Sequence, residues 1–523
     1  MNAHAFFNLK SKNNFIFLIA LLLLVFRFLI GATTEIVGGQ YDTDGLAYLV
    51  NIGYWGHSQD PIRPPFFPLL GWAVMQTGIP FRIFLELVFI ASTFWLFILV
   101  KKEFGGVVAL AVLVATIFNP YTIRSFTEAQ REPVLLVLYM LAFSALMSFL
   151  IKLKQGKVPY FFTLILSLLF GFIILTREGE ELFSLVIFIA LFLSVFLFFN
   201  GVEKKKFYLL FFAAIVPVFL LLKVTSVLNG HYFGVSGYRG IFAYQTKLLS
   251  QLHRVKSDDA VRYAPVTNSV FLIASQKSPA FAEFGSSITQ RTGFYELLRE
   301  HSSSFVGKLE IDPTRTIWAL NKALDDKYGP DGTLKALKLG EAERELENML
   351  NSGLLPSYSI GLPYPFDPNL SHWISYWPSA FYNVLRDTIF LEGDFSGLGK
   401  RSDFNPENFD KAYNRRTVIV SKQFEGRMNW VREFIVFSYP WILGFACLLT
   451  ILFPVRKFGR VAAVWLGIIS IYLLARAAAT SILYVSVAPV ARYMVFSAPL
   501  FAICLVVFVA GTKSRIQANL AIK

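Results

Sequence analysis

A succession of apolar blocks, at 15–31, 82–100, 133–151, 158–175, 181–199 and 207–228, dominates the chain. Each is near the roughly 20 residues that a helix needs to cross a bilayer core. Read in order, the blocks predict about ten spanning helices, roughly 14–31, 82–100, 104–119, 133–151, 158–176, 181–200, 207–227, 433–454, 461–485 and 492–511. Over the 523 residues 55% are hydrophobic and 16% charged, against roughly 45–50% and 25% in an ordinary soluble domain, which excludes a soluble globular enzyme. The expected fold class is an all-α polytopic membrane protein.

The net charge of +14 does not point to nucleic acid, because the basic residues sit in short clusters at the ends of apolar blocks, where orientation signals belong. The first block has the charged and apolar regions of a signal peptide, with Gly31-Ala32-Thr33 as small residues for cleavage. Its length, and the late interruption by Arg27, favour an uncleaved anchor. With the N-terminus inside, the cytoplasmic segments hold Lys10, Lys12, Lys101, Lys102, Lys152, Lys154, Lys157, Lys204–Lys206, Arg456, Lys457, Arg460, Lys513, Arg515 and Lys523, opposed by Glu103 and Glu203. The apolar stretch Phe66–Ile79 is 14 residues long and follows Pro64-Pro65. Were it to span, the later lysine clusters before the large loop would face outward, so it is expected as an interfacial or re-entrant helix in the first outer loop.

Three parts follow: an N-terminal membrane module, 1–230, whose first outer loop is 32–81; an extracytoplasmic domain, 231–432; and C-terminal membrane helices, 433–523. In the domain, Asp312-Pro313 reads as a helix start and 334–350 has apolar residues at helical spacing. A mainly helical fold is expected there. The prolines and aromatics of 354–390 predict ordered loop rather than long helix. Cys447 and Cys504 lie within apolar segments and suit neither a disulfide framework nor a metal site.

Charges in or at the edge of a bilayer are expensive and therefore informative. They gather in four places on the expected outer side: Tyr41-Asp42-Thr43-Asp44-Gly45-Leu46-Ala47-Tyr48 with Arg63-Pro64-Pro65 downstream; Asn119-Pro120 through Glu128, Arg131 and Glu132; Thr176-Arg177-Glu178-Gly179-Glu180-Glu181; and Arg476 with Arg492-Tyr493. The histidines show no ligand spacing, which speaks against a zinc site, and no phosphate-binding GxxxxGK[ST] is present.

The order YDTDGLAY, RPPFFPLL, an Asn-Pro with an acidic pair, TREGEE and ARYMVFSAPL resembles the GT-C membrane glycosyltransferases, over most of 15–230 and 430–511. The resemblance implies transfer of a sugar from a polyprenyl-phosphate donor to an envelope glycan, lipid or protein acceptor, on the outer side of the membrane. For that chemistry a carboxylate must take the acceptor's proton, and cations must stabilise the departing phosphate. Asp44 is the expected base, with Asp42 its rival or its partner on a divalent metal, Mg or Mn; the other reading of the pair is a turn cap. No cofactor is otherwise called for. Arg492, Arg476 and Arg63 are the expected phosphate ligands. Arg492 could instead snorkel to the interface, and Arg476, lying deeper, needs a partner that is either a glutamate of 178–181 or the ligand. Glu128, Arg131, Glu132, Arg177, Glu178 and Tyr48 are candidates for sugar contacts, the charged ones also for pairing with one another. The aromatics Tyr364, Phe366, Trp373, Tyr376 and Trp377 fit either sugar stacking or packing.

An O-antigen ligase or polymerase using a diphosphate-linked oligosaccharide is the alternative enzyme, and a transporter the non-enzymatic one. The outer placement of the charges speaks against the transporter. The partners expected are the lipid-linked donor, the acceptor and membrane lipids, and the expected location is a bacterial inner membrane.

Overall fold

The computed structural model describes residues 12–33, 64–124, 126, 131–177, 179–198, 204–235, 237–259, 266–289, 313–329, 331–358, 370–390, 422–453, 459–486 and 497–520. Among the described residues there is no strand, only a single bridge between Val255 and Ser357. Among the described residues eight helices are long and apolar enough to cross a membrane, and two shorter apolar helices accompany them. The protein is an all-α polytopic membrane protein.

The membrane helices are α1 (Lys12–Ala32), α3 (Phe81–Phe104), α4 (Gly106–Ile117), α6 (Arg131–Lys154), α7 (Tyr160–Ile174), α8 (Glu180–Phe198), α9 (Lys204–Phe233), α16 (Lys422–Leu452), α17 (Arg460–Ser486) and α18 (Ala498–Leu520). They fall on the ten blocks of the hydropathy pattern. Two short helices, α2 (Phe66–Gln76) and α5 (Pro120–Arg124), lie between them. Helix α6 has 94% of its apolar window inside the protein, against 17% for 212–233 of α9. It is therefore the centre of the bundle, whereas α9 faces lipid. A buried indole would leave its N–H unsatisfied in hydrocarbon, and Trp465 of α17 donates it to the Phe143 carbonyl at 2.9 Å.

The lysine-bearing turns meet at one end. Lys154 pairs with Glu103 at 3.2 Å, Arg460 donates to Phe198 O at 2.9 Å, and Lys513 to Phe453 O at 2.6 Å. At this end α3 turns into α4 through Gly105 alone, whose φ of 101° is open to glycine and strained for other residues. Helix α2 belongs to the opposite end. Its first amide donates to Leu175 O at 2.9 Å and Phe66 stacks on Phe172. Its 11 residues rise roughly 16 Å, too little to cross.

That opposite end carries a second core. Helices α10 (Phe242–Arg254), α11 (Asn268–Lys277), α12 (Pro279–Gly285), α13 (Pro313–Tyr328) and α14 (Gly332–Asn351) enclose Leu248, Leu252, Phe271, Phe281, Leu320 and Leu346. Pro313 opens α13 as expected, and Asp331 caps α14 by accepting from the Leu334 amide at 2.9 Å. This helical unit joins α9 through Asn229, which donates to Gly237 O at 2.8 Å.

One expectation is corrected. The stretch 354–390, expected as loop, contains α15 (Leu370–Phe390), a helix of 21 residues with Pro378 inside it. Ala380 and Val384 are fully buried, Val384 belongs to the membrane core, and α15 packs along α17. Tertiary burial of this face outweighs the roughly 3 kcal/mol that an interior proline costs. Tyr376 lies on the exposed side and Trp377 stacks on Phe381. Tyr364 and Phe366 lie outside the described residues, and nothing of the Trp373 side chain is described.

Candidate functional site

Helix length sets the depth of the site. Both α4, with 12 residues, and α7, with 15, start at the lysine end. They rise only roughly 18 and 22 Å, against about 30 Å of hydrocarbon. The chain after Ile117 and after Ile174 therefore turns irregular while still at membrane depth. Irregular backbone is tolerated there only inside protein, and residues 118–123 and 126 are buried. Asn119 holds this bend, accepting from the Tyr121 amide at 3.0 Å and donating to the Tyr439 hydroxyl at 3.0 Å. Polar groups thus collect in a recess at the domain-bearing end.

Three charged centres occupy it. In the first, Arg476 of α17 donates to Glu180, the first residue of α8, and the Tyr139 hydroxyl of α6 donates to the same carboxylate oxygen at 2.6 Å. Arg476 and Glu180 are each 2% exposed. The α8 N-terminus supplies favourable dipole ends for the carboxylate, while the Arg476 guanidinium lies 4.0 Å from the Phe183 ring and 5.2 Å from Tyr472. Arg476 thus takes its partner from the 178–181 segment. In the second centre Arg177 meets Glu132 at 3.4 Å, with Arg131 buried beside it.

The third centre was not singled out from sequence. Arg27 of α1 and Arg82 of α3 share one oxygen of Glu86, at 2.8 and 2.6 Å, and Arg27 also donates to Thr122 O at 2.8 Å. Arg82 and Glu86 are one turn apart at the start of an apolar block, and that in-block pair was the signal available. Nearby, Glu181 clamps the helical unit to α8. It accepts from Tyr238 and, at 2.7 Å, from Arg239. Burial, followed by the charge of Glu181, raises the Tyr238 pKa, so this hydroxyl stays a donor.

Of the expected site residues, Arg476, Arg131, Glu132 and Arg177 are described and sit in the recess. Asp42, Asp44, Tyr48, Arg63, Glu128, Glu178 and Arg492 lie outside the described residues. The flanks of their segments converge on the same end: Arg27 near Thr33 reaches Thr122, Phe66 meets Leu175, and Tyr472 lies 3.5 Å from Ser497. Among the described residues no group of three or more His, Cys, Asp or Glu could hold a metal, and both cysteines are free.

The fold defines a polytopic helical membrane protein with three buried charged centres gathered at one end of its bundle. No protein-family model and no curated protein sequence matches the chain. Among solved structures it is similar to ArnT from Cupriavidus metallidurans bound to undecaprenyl phosphate, at 11% identity and a TM-score of 0.33, over 98% of this chain and 80% of that one. It is likewise similar to apo ArnT from that organism, at 11% and 0.34, over 96% and 78%. A third similar structure is the apo oligosaccharyltransferase of Archaeoglobus fulgidus, at 12% and 0.31, over 95% and 56%. Scores of this size equate no residue of this chain with one of theirs.

Proposed function

We propose that the protein is an inverting membrane glycosyltransferase that moves a sugar from a polyprenyl-phosphate donor to an envelope glycan, lipid or protein acceptor. The reading carries the lysine end as cytoplasmic and the recess as extracytoplasmic, in a bacterial inner membrane. Its main support is the convergence of the flanks of all four charged motifs on the domain-bearing end of the bundle.

In this reading Asp44 takes the proton of the acceptor hydroxyl as its oxygen attacks the anomeric carbon. The bond from that carbon to the phosphate oxygen breaks with inversion, and polyprenyl phosphate leaves with the electron pair. Arg492 and Arg63 stabilise the charge that develops on it. Arg476, already carrying Glu180, contributes as the fixed wall of the phosphate site. Asp42 orients Asp44 or, with it, holds a divalent Mg or Mn. Glu128, Arg131, Glu132, Arg177, Glu178 and Tyr48 line the sugar side.

The test is release of polyprenyl phosphate by the purified protein in nanodiscs from a panel of labelled polyprenyl-phosphate sugars, alongside a diphosphate-linked oligosaccharide. Release from a monophosphate donor, lowered at least ~100-fold in Asp44→Asn, is expected. Consumption of the diphosphate donor alone would overturn the donor class, and unimpaired release in Asp44→Asn would overturn the base.

A further inference from the structure

Between α10 and α14 the helical unit opens a cleft of about 370 Å³, within the roughly 300–1,000 Å³ of small-molecule pockets. Tyr244 and Lys247 line it from α10, and Thr333, Gly340, Glu343 and Arg344 from α14. Gly234, one residue past the end of α9, lines it too. None of these residues belongs to the three charged centres of the membrane bundle.

Gly340 stands midway along the lining face of α14, and a Cβ there would meet nothing within 4 Å. Glycine inside a helix is destabilising relative to alanine, and no neighbour here forbids the larger residue. The missing side chain therefore serves the open space rather than the packing. Arg344 lies one turn further on. Its Nε donates to the Gly340 carbonyl at 3.0 Å, which fixes the guanidinium at the cleft and leaves both terminal nitrogens without an acceptor among the described residues. Lys247 likewise pairs with no carboxylate among them, whereas Lys322, Lys335 and Lys338 of the same unit each do.

A planar guanidinium with two unused donors is complementary to a carboxylate, which it holds by paired, charge-assisted hydrogen bonds. The lining sets two cations against the single carboxylate of Glu343, a balance that suits a monoanion better than a dianionic phosphate. Tyr244, half-buried, can offer its ring to a sugar face, and Thr333 and Glu343 can bond sugar hydroxyls. We propose that this cleft binds a carboxylate-bearing sugar residue of a glycan, with Arg344 on the carboxylate, Lys247 beside it and Gly340 as the floor. The inference rests on the proposed glycosyl transfer for its place in a reaction, the holding of an acidic acceptor glycan. The binding itself needs no donor.

The test is saturation-transfer NMR on the full-length protein in nanodiscs, titrated with methyl glucuronide, methyl glucoside and glucose phosphate. The glucuronide should bind, and the glucoside roughly tenfold more weakly or less, the worth of a charge-assisted hydrogen bond. Arg344→Gln should lose that preference. Gly340→Leu should abolish glucuronide binding yet unfold no lower than wild type, since it puts a strong helix former in place of glycine. Equal binding of glucuronide and glucoside, a preference for the phosphate, or no binding of any probe overturns the proposal. So does wild-type affinity for the glucuronide in Arg344→Gln or Gly340→Leu. Should either variant fail to fold, Lys247→Gln decides, weaker glucuronide binding supporting the site and unchanged binding overturning it. Release of polyprenyl phosphate without glucuronide binding sinks this site and leaves the glycosyltransferase reading standing. Glucuronide binding that is lost in Gly340→Leu, with no release from any donor, does the reverse.

Discussion

Replacing Glu180 by Gln isolates the worth of a deeply buried one-to-one ion pair in the recess. Gln keeps the side-chain volume and an oxygen able to accept from the Tyr139 hydroxyl, 2.6 Å away in the native protein, but it strips Arg476 of its counter-charge. Both partners are 2% exposed, so solvent screens neither, and removing one side of such a pair costs about 3–5 kcal/mol. The Phe183 and Tyr472 rings, 4.0 and 5.2 Å from the guanidinium, remain in the variant and hold the loss toward the lower bound. Arg476→Met should cost less, about 1–2 kcal/mol, because Glu180 keeps the Tyr139 hydroxyl and the α8 N-terminus as partners. With Arg476→Met in place no cation is left to strand, so adding Glu180→Gln should cost less than about 1 kcal/mol more. The coupling in the double-mutant cycle is then about 2 kcal/mol. Reversible unfolding in mixed micelles, followed by tryptophan fluorescence, reads it. Additive losses would refute the reasoning, as would a Glu180→Gln loss below that of Arg476→Met.

A Cβ at Gly31 would lie 2.3 Å from the Glu86 carboxyl; Gly31→Ala should therefore push Glu86 off its two arginines and destabilise by about 1–3 kcal/mol, and an unchanged unfolding midpoint would refute the contact. For topology, single cysteines at Lys102 and Lys205 should resist an impermeant thiol reagent in intact cells while one at Gly329 labels, and labelling at 102 would invert the orientation. Arg492→Lys should lose most transfer activity, since an ammonium lacks the planar two-donor fork; full activity would make Arg492 an interfacial anchor. Glu181→Gln, which loosens a half-exposed clamp to Tyr238 and Arg239, should cost only about 1 kcal/mol but speed proteolysis of 237–358, and an unaltered cleavage rate would deny the clamp.

The membrane helices are legible in the sequence because insertion responds to a local quantity, the apolarity of some twenty consecutive residues. The helix start at Pro313 is legible for a similar reason, a first-turn proline acting on backbone a few residues away. Helix α15 is not legible. Pro378 and its polar residues argue against a long helix, and what stabilises it is burial of Ala380 and Val384 when it packs along α17. The charged motifs were visible as charges that must find partners, but not which partners. Arg476 and Glu180 are 296 residues apart, and Arg27 reaches Glu86 across 59. The polar end of the bundle follows from two short helices that stop inside it, and the sharing of Glu86 by Arg27 and Arg82 from α1 packing on α3. Hydropathy is a property of each segment alone, whereas the balance of a buried charge depends on which segments touch, and that is decided only when the bundle closes.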